Sequence, residues 1–193
     1  GDVSEYLEAL IASDFIVRYT PFGKSSREDH YRLIEPFRLF YIRYVSGKNV
    51  VDTNFWTNNQ MSQGVVSWRG IAFEDLCIRH LSQIKKALGI SGVITSQSNW
   101  IVPGSENEAG MQIDLLINRN DNIVNMCEMK FYHEDFTVNG EYNKKISSRA
   151  NKLHEDLPKK YAVHSTLITT YGLTYNEYSG AFQQVITLED LFS

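Results

Sequence analysis

Asp114 stands in Gln112-Ile113-Asp114-Leu115-Leu116-Ile117, and Glu128 and Lys130 stand in Met126-Cys127-Glu128-Met129-Lys130-Phe131. Residues two apart on a strand share a face. Asp114 is therefore expected beside Leu116, with Ile113, Leu115 and Ile117 opposite. Glu128 and Lys130 continue a face that Val124 and Met126 begin. A charge set among apolar strand residues needs a partner or a metal, because burying it unpaired is costly. Glu74, in Phe73-Glu74-Asp75-Leu76, has Cys77, Ile78 and Leu81 at helical spacing, which puts it on the flank of an apolar helix stripe. Carboxylates that converge repel unless a divalent cation intervenes, and oxygen-only ligation suits Mg2+ or Mn2+. Such an ion polarises a phosphoryl oxygen and acidifies a bound water. Lys130 beside it would hold that water or stabilise developing negative charge. The chemistry indicated is phosphodiester hydrolysis, with Asp114, Glu128 and Glu74 as metal ligands. Each residue alone also has a plainer reading. Asp114 suits a turn cap or an arginine partner, Glu128 with Lys130 an exposed edge pair, and Glu74 a solvated helix flank.

These residues depend on the elements around them. Apolar Phe73, Leu76, Cys77, Leu81, Ile84 and Leu88 make one helical stripe, with Gly89 as its stop. A strand over 92–102, interrupted near Asn99-Trp100, precedes a turn-rich loop over 103–110. Strands over 111–118 and 122–131 are joined at Arg119-Asn120-Asp121 as a hairpin. A helix over 142–157 ends at Pro158, a strand follows over 164–171, and 185–191 closes the chain as a short strand or helical turn. At the other end, Val3, Tyr6, Leu7, Leu10 and Ile11 have helical spacing. Two short strands follow, separated by a polar turn, and Pro36 opens a helix striped with Phe37, Phe40, Tyr41 and Tyr44. The Asn-, Ser-, Thr- and Gln-rich stretch 46–69 reads as a partly helical linker. Three parts are expected: 1–45, the linker 46–69, and an α-β-β-β-α-β domain over 70–193.

Composition limits the function. The apolar fraction of 42% and net charge of -4 argue against disorder. No apolar run approaches the roughly 20 residues of a membrane span, and there is no signal-peptide pattern. Two cysteines, Cys77 and Cys127, support neither a disulfide framework nor a Cys-rich zinc site, so a reduced, cytoplasmic setting is expected. With 19 Lys+Arg against 23 Asp+Glu, DNA contact must rest on a local patch. Residues 143–160 supply one: Lys144, Lys145, Arg149, Lys152, Lys159 and Lys160 against Glu155 and Asp156. Lys144, Lys145 and Arg149 are the candidate phosphate contacts, although a solvated helix face explains them equally. Cys77 with His80 lacks further metal-ligand spacing, and His133 reads as a loop histidine. Residues 1–45 hold six basic and seven acidic residues, a poor footprint for DNA.

A helix-borne Glu74, then Ile113-Asp114 on a strand, then Glu128-Met129-Lys130 on the next resembles the PD-(D/E)XK nuclease-like superfamily. Tyr31 through Tyr41, Gly70-Ile71-Ala72-Phe73-Glu74, Gln112-Ile113-Asp114 and Cys127 through Lys130 are similar to landmarks of the carboxy-terminal region of archaeal-type AAA-like P-loop ATPases, which also occur in bacteria. The resemblance covers nearly the whole chain. It implies the end of a winged helix followed by a restriction-endonuclease-like α-β-β-β-α-β core with a mixed sheet. It also implies Mg2+ or Mn2+, DNA as substrate, and a P-loop ATPase domain on the amino-terminal side. Ile113 departs from the Pro in the superfamily's name. Phe22-Gly23-Lys24-Ser25 is no P-loop, because Arg18 stands where the motif needs Gly, so no nucleotide binding is expected here. The chain starts with Gly1 and no Met, which suggests the rear portion of a larger protein. The rival expectation is a non-catalytic DNA- or protein-binding regulatory module of such an ATPase.

Overall fold

The structure is a computed structural model, and it describes residues 2–47, 53–105 and 109–193. Parts of the expected linker (48–52) and of the loop over 103–110 (106–108) lie outside the described residues.

Helix α1 (Val3–Ala12) leads into strands β1 (Ile16–Tyr19) and β2 (His30–Leu33), which pair antiparallel from Ile16↔Leu33 to Tyr19↔His30. Helix α2 (Pro36–Tyr44) begins where Glu35 turns its carboxylate back to accept from the Phe37 and Arg38 amides. Pro36 at the first position forgoes a hydrogen bond that the helix could not make there. The aromatic stripe of α2 divides. Phe40 and Tyr44 pack with Trp56 of α3 (Phe55–Asn59) and Trp68 of α4 (Gln63–Arg79), while Phe37 and Tyr41 stay exposed.

Helix α4 starts at Gln63, within the stretch read as linker. The single stripe expected through Leu88 is two helices: the backbone departs from helical geometry at His80 before α5 (Leu81–Ala87) resumes. Gly89, at φ +70°, then closes α5, and the Ile90 amide reaches back to the Lys85 carbonyl. That left-handed conformation is the reason for glycine at the stop.

Strands β3 (Thr95–Val102), β4 (Met111–Arg119), β5 (Ile123–Lys130), β6 (Ala162–Thr169) and β7 (Gln184–Thr187) form one sheet in sequence order. The first two pairings are antiparallel and the last two parallel, so the sheet is mixed. Helix α6 (Gly140–Glu155) is the crossover between β5 and β6, capped by Asn139 on the Tyr142 amide. The chain is therefore α/β, with a separate two-stranded antiparallel sheet at its amino-terminal end. None of the described helices is long and apolar enough to cross a membrane.

Both faces of the large sheet are covered, so the central strands β5 and β6 bury most of their residues. Helices α4 and α5 pack Phe73, Cys77, Ile84 and Leu88 against Leu115, Ile117, Cys127, Met129 and Ile168. On the other face, Ile146 and Leu153 of α6 pack against Ile113, Leu116, Val124, Met126 and Leu167. Ile113 is thus on the face opposite to the one alternation assigns it. The cause is a bulge. Trp100 pairs with Ile113 and Ser98 with Leu116, so Asp114 and Leu115 together oppose Asn99 alone. The extra residue shifts the alternation of β4 by one position.

Candidate active site

Asp114 is the first residue of that bulge. With Leu115 it lines a cavity of about 320 Å³ between the β1–β2 hairpin and the sheet, instead of following Leu116 toward α6. Its Oδ1 accepts from Gln112 Nε2 at 2.6 Å. The recorded β4–β5 ladder ends at Leu115↔Cys127, so Asp114 and Glu128 follow the last pair on adjacent strands. They turn to different sides, because Glu128 points to α6.

Glu128 is buried and held from three directions. Its Oε1 accepts from Lys130 Nζ at 2.9 Å and from the Tyr142 hydroxyl at 2.8 Å, and its Oε2 from Arg149 Nη1 at 2.7 Å. Tyr142 and Arg149 are seven residues apart, two turns along one face of α6, and so reach the same carboxylate. Burial alone would push the Glu128 carboxyl up, but Lys130, Arg149 and Tyr142 outweigh it and hold the carboxyl below its ordinary range. Burial and the Glu128 charge push the Tyr142 hydroxyl far up, so it stays a donor. A carboxylate has about four lone-pair positions. Three are taken, which leaves one, on Oε2.

Glu74 is half-buried on α4, and Arg32 of β2 reaches it. Arg32 Nη2 lies 3.0 Å from Glu74 Oε2, and its Nε lies 2.6 Å from Asp75 Oδ1. Asp75 is only 3% exposed, and its Oδ2 has no hydrogen-bond partner among the described residues. Burial raises the Glu74 carboxyl and the Asp114 charge raises it further, while Arg32 and Lys130 pull it back. Lys130 thus contacts Glu128 and is felt at Glu74, and Glu74 also feels Asp114. Glu74 is therefore within electrostatic reach of both Asp114 and Lys130, although Asp114 and Glu128 do not share a face.

The expected phosphate contacts divide. Arg149 is turned inward onto Glu128, Lys145 lies over the Tyr142 ring at 5.9 Å, and Lys144 lines an open polar groove along α6. Cys77 is buried, the His80 Nδ1 lies 2.8 Å from the Leu76 carbonyl, and His133 is exposed against Phe131. Sequence reasoning missed Arg32 and Tyr142. Arg32 gave no signal, since its partners lie 42 and 43 residues away. Tyr142 was detectable through its helical spacing to Arg149.

The donor set is all oxygen, which suits a hard divalent ion. The repulsion that raises Glu74 beside Asp114 is the kind a cation relieves. Among the described residues, no three His, Cys, Asp or Glu side chains converge as a ready metal cage, and Arg32, Lys130 and Arg149 pair with Glu74 and Glu128 instead.

No protein-family model matches the chain, and no curated protein does. Among solved structures, it is similar to a crystal structure of a protein of unknown function, AF1548, at 19% identity and a TM-score of 0.38, covering 60% of this chain and 64% of that one. The chain thus spans less than two thirds of the length of that neighbour.

Proposed function

We propose that this chain is the winged-helix end and PD-(D/E)XK nuclease-like domain of an AAA-like P-loop ATPase, and that it hydrolyses phosphodiester bonds of DNA with Mg2+ or Mn2+. The observation that carries the reading is the buried Glu128 carboxylate near the end of β5, with Lys130 Nζ 2.9 Å from it. The α-β-β-β-α-β order and mixed sheet agree with such a core. The amino-terminal helix followed by a two-stranded hairpin agrees with the end of a winged helix.

Asp114 and Glu128 would hold the ion, with Glu74 assisting, which requires Asp114 to turn from the hairpin cavity toward Glu128. A bound divalent ion supplies polarisation of a phosphoryl oxygen and a more acidic water. Glu128 offers one lone pair, so its contribution is monodentate. Lys130 orients the attacking water or stabilises charge on the phosphoryl group. Tyr142 and Arg149 keep Glu128 ionised and fixed. Lys144 and Lys145 would hold the DNA backbone, and Arg149 would do so only by leaving Glu128.

A second reading, a non-catalytic DNA- or protein-binding module, is favoured by one observation: Arg32, Lys130 and Arg149 already pair with Glu74 and Glu128. Incubation with single-stranded, duplex and branched DNA in Mn2+ separates the two. Cleavage that Lys130→Ala removes supports hydrolysis. Binding of DNA without cleavage under any of these conditions supports the module.

A further inference from the structure

We infer that the cavity between the β1–β2 hairpin and the large sheet binds a nucleobase bearing an exocyclic amino group, adenine or cytosine. At about 320 Å³ it lies at the small end of ligand pockets, the size of a base with part of its sugar. Val17, Ile78, Leu81 and Leu115 give it apolar walls, and Tyr19 adds an aromatic ring. Its polar groups are mostly acceptors or adaptable amides: Gln97, Asn99, Gln112 and Asp114.

Two of these groups lack partners. Asn99 is 6% exposed, and among the described residues its Oδ1 accepts no hydrogen bond. A buried carbonyl oxygen left in that state costs free energy that a ligand donor recovers. Among the described residues, the Gln97 amide has no partner either. The cavity's cations are committed elsewhere. Arg18 lies 2.7 Å from Glu8, and Arg32 holds Glu74 and Asp75. The cavity therefore suits a flat, uncharged ligand with N–H donors on its edge, not a phosphate. Asn and Gln amides read adenine, and carboxylates accept from the cytosine amino group. Aromatic and aliphatic walls grip an unpaired base by its faces.

Asp114 lines the cavity and belongs to the proposed metal site. If that reading holds, an unpaired base would sit beside the cleavage point, and the substrate would be a single-stranded or opened DNA. The pocket itself does not depend on hydrolysis.

The test is an amide-resonance titration of the 193-residue chain with adenosine, cytidine and uridine, and with short strands of dA, dC and dT. Adenosine or cytidine is expected to shift the resonances of Tyr19, Asn99 and Gln112, with uridine at least about tenfold weaker, the value of one well-formed edge contact. Asn99→Leu and Gln97→Ala should each weaken binding about tenfold. Gln97 is exposed, so its variant decides the matter if Asn99→Leu does not fold. Strands that bind through the same residues more tightly than nucleosides identify a nucleic-acid source. Nucleosides that bind while strands do not identify a free nucleoside, and both outcomes support the pocket. Uridine binding as well as cytidine, insensitivity to Gln97→Ala, or no shift at these residues overturns it. DNA cleavage without nucleoside binding overturns the pocket alone, and nucleoside binding without cleavage counts only against the hydrolytic reading.

Discussion

The Tyr142 hydroxyl and Lys130 Nζ converge on one oxygen, Glu128 Oε1, at 2.8 and 2.9 Å. The helix after the third strand of the large sheet and the end of that strand thereby hold a single buried carboxylate between them. Arg149 closes the other oxygen.

Removing that carboxylate strands two cations. Glu128→Ala is expected to cost about 3 kcal/mol, because Arg149 is then left largely buried without its ion-pair partner. Urea unfolding of the variant measures it. Tyr142→Phe removes one donor and leaves the ion pairs, so a loss of about 1 kcal/mol is expected.

The two glutamates should give opposite pH slopes. The Glu128 carboxyl is held below its ordinary value in the fold. Its contribution is complete above the unfolded pKa and is lost as pH falls through the depressed folded one. The wild type's advantage over Glu128→Gln should therefore grow as pH rises through the acid range and then level off. The Glu74 carboxyl is raised. Its contribution is complete below the unfolded pKa and fades as pH rises through the folded one, so the advantage over Glu74→Gln should shrink with rising pH. Stability of both variants against pH checks the two signs.

Arg32 fastens the hairpin to α4. Arg32→Met leaves Asp75 buried without its ion-pair partner and is expected to cost about 3 kcal/mol. The double variant Arg32→Met with Asp75→Leu should recover much of that. Amide exchange in β1 and β2 should quicken in the single variant, which a purely local effect would not produce.

Much of this arrangement was legible in the sequence. The strand pair around Arg119-Asn120-Asp121, the helix before Pro158 and the stop at Gly89 followed from local turn chemistry and periodicity, with ends shifted by a few residues. The interruption seen at Asn99-Trp100 is where the bulge lies. Its consequence was not legible. One extra residue on β4 moved Ile113 to the α6 face and turned Asp114 toward the hairpin, and period-two alternation carries no sign of such an insertion. The Glu128–Lys130 pair was found from its own strand. Arg32, which contacts Glu74 from a distant hairpin, could be found only once the fold had closed.

The two thiols should be inert while the protein is folded. Burial pushes Cys127 up to about 12 and raises Cys77 further. A thiolate-specific reagent at mildly alkaline pH should label neither in the native chain and both in denaturant. Labelling of the native chain would contradict the packing of Cys77 and Cys127 in the core beneath α4.

The hydrolytic proposal has Asp114 and Glu128 holding a divalent ion, with Glu74 assisting, although the two turn to different sides in the fold. Calorimetric titration of the 193-residue chain with Mn2+ tests it most directly, run beside Asp114→Ala and, as a control away from the site, Lys159→Ala. The account predicts one saturable site in the wild type and in Lys159→Ala, and its loss in Asp114→Ala while that variant remains folded. No saturable binding to the wild type, or equal binding to folded Asp114→Ala, would contradict it.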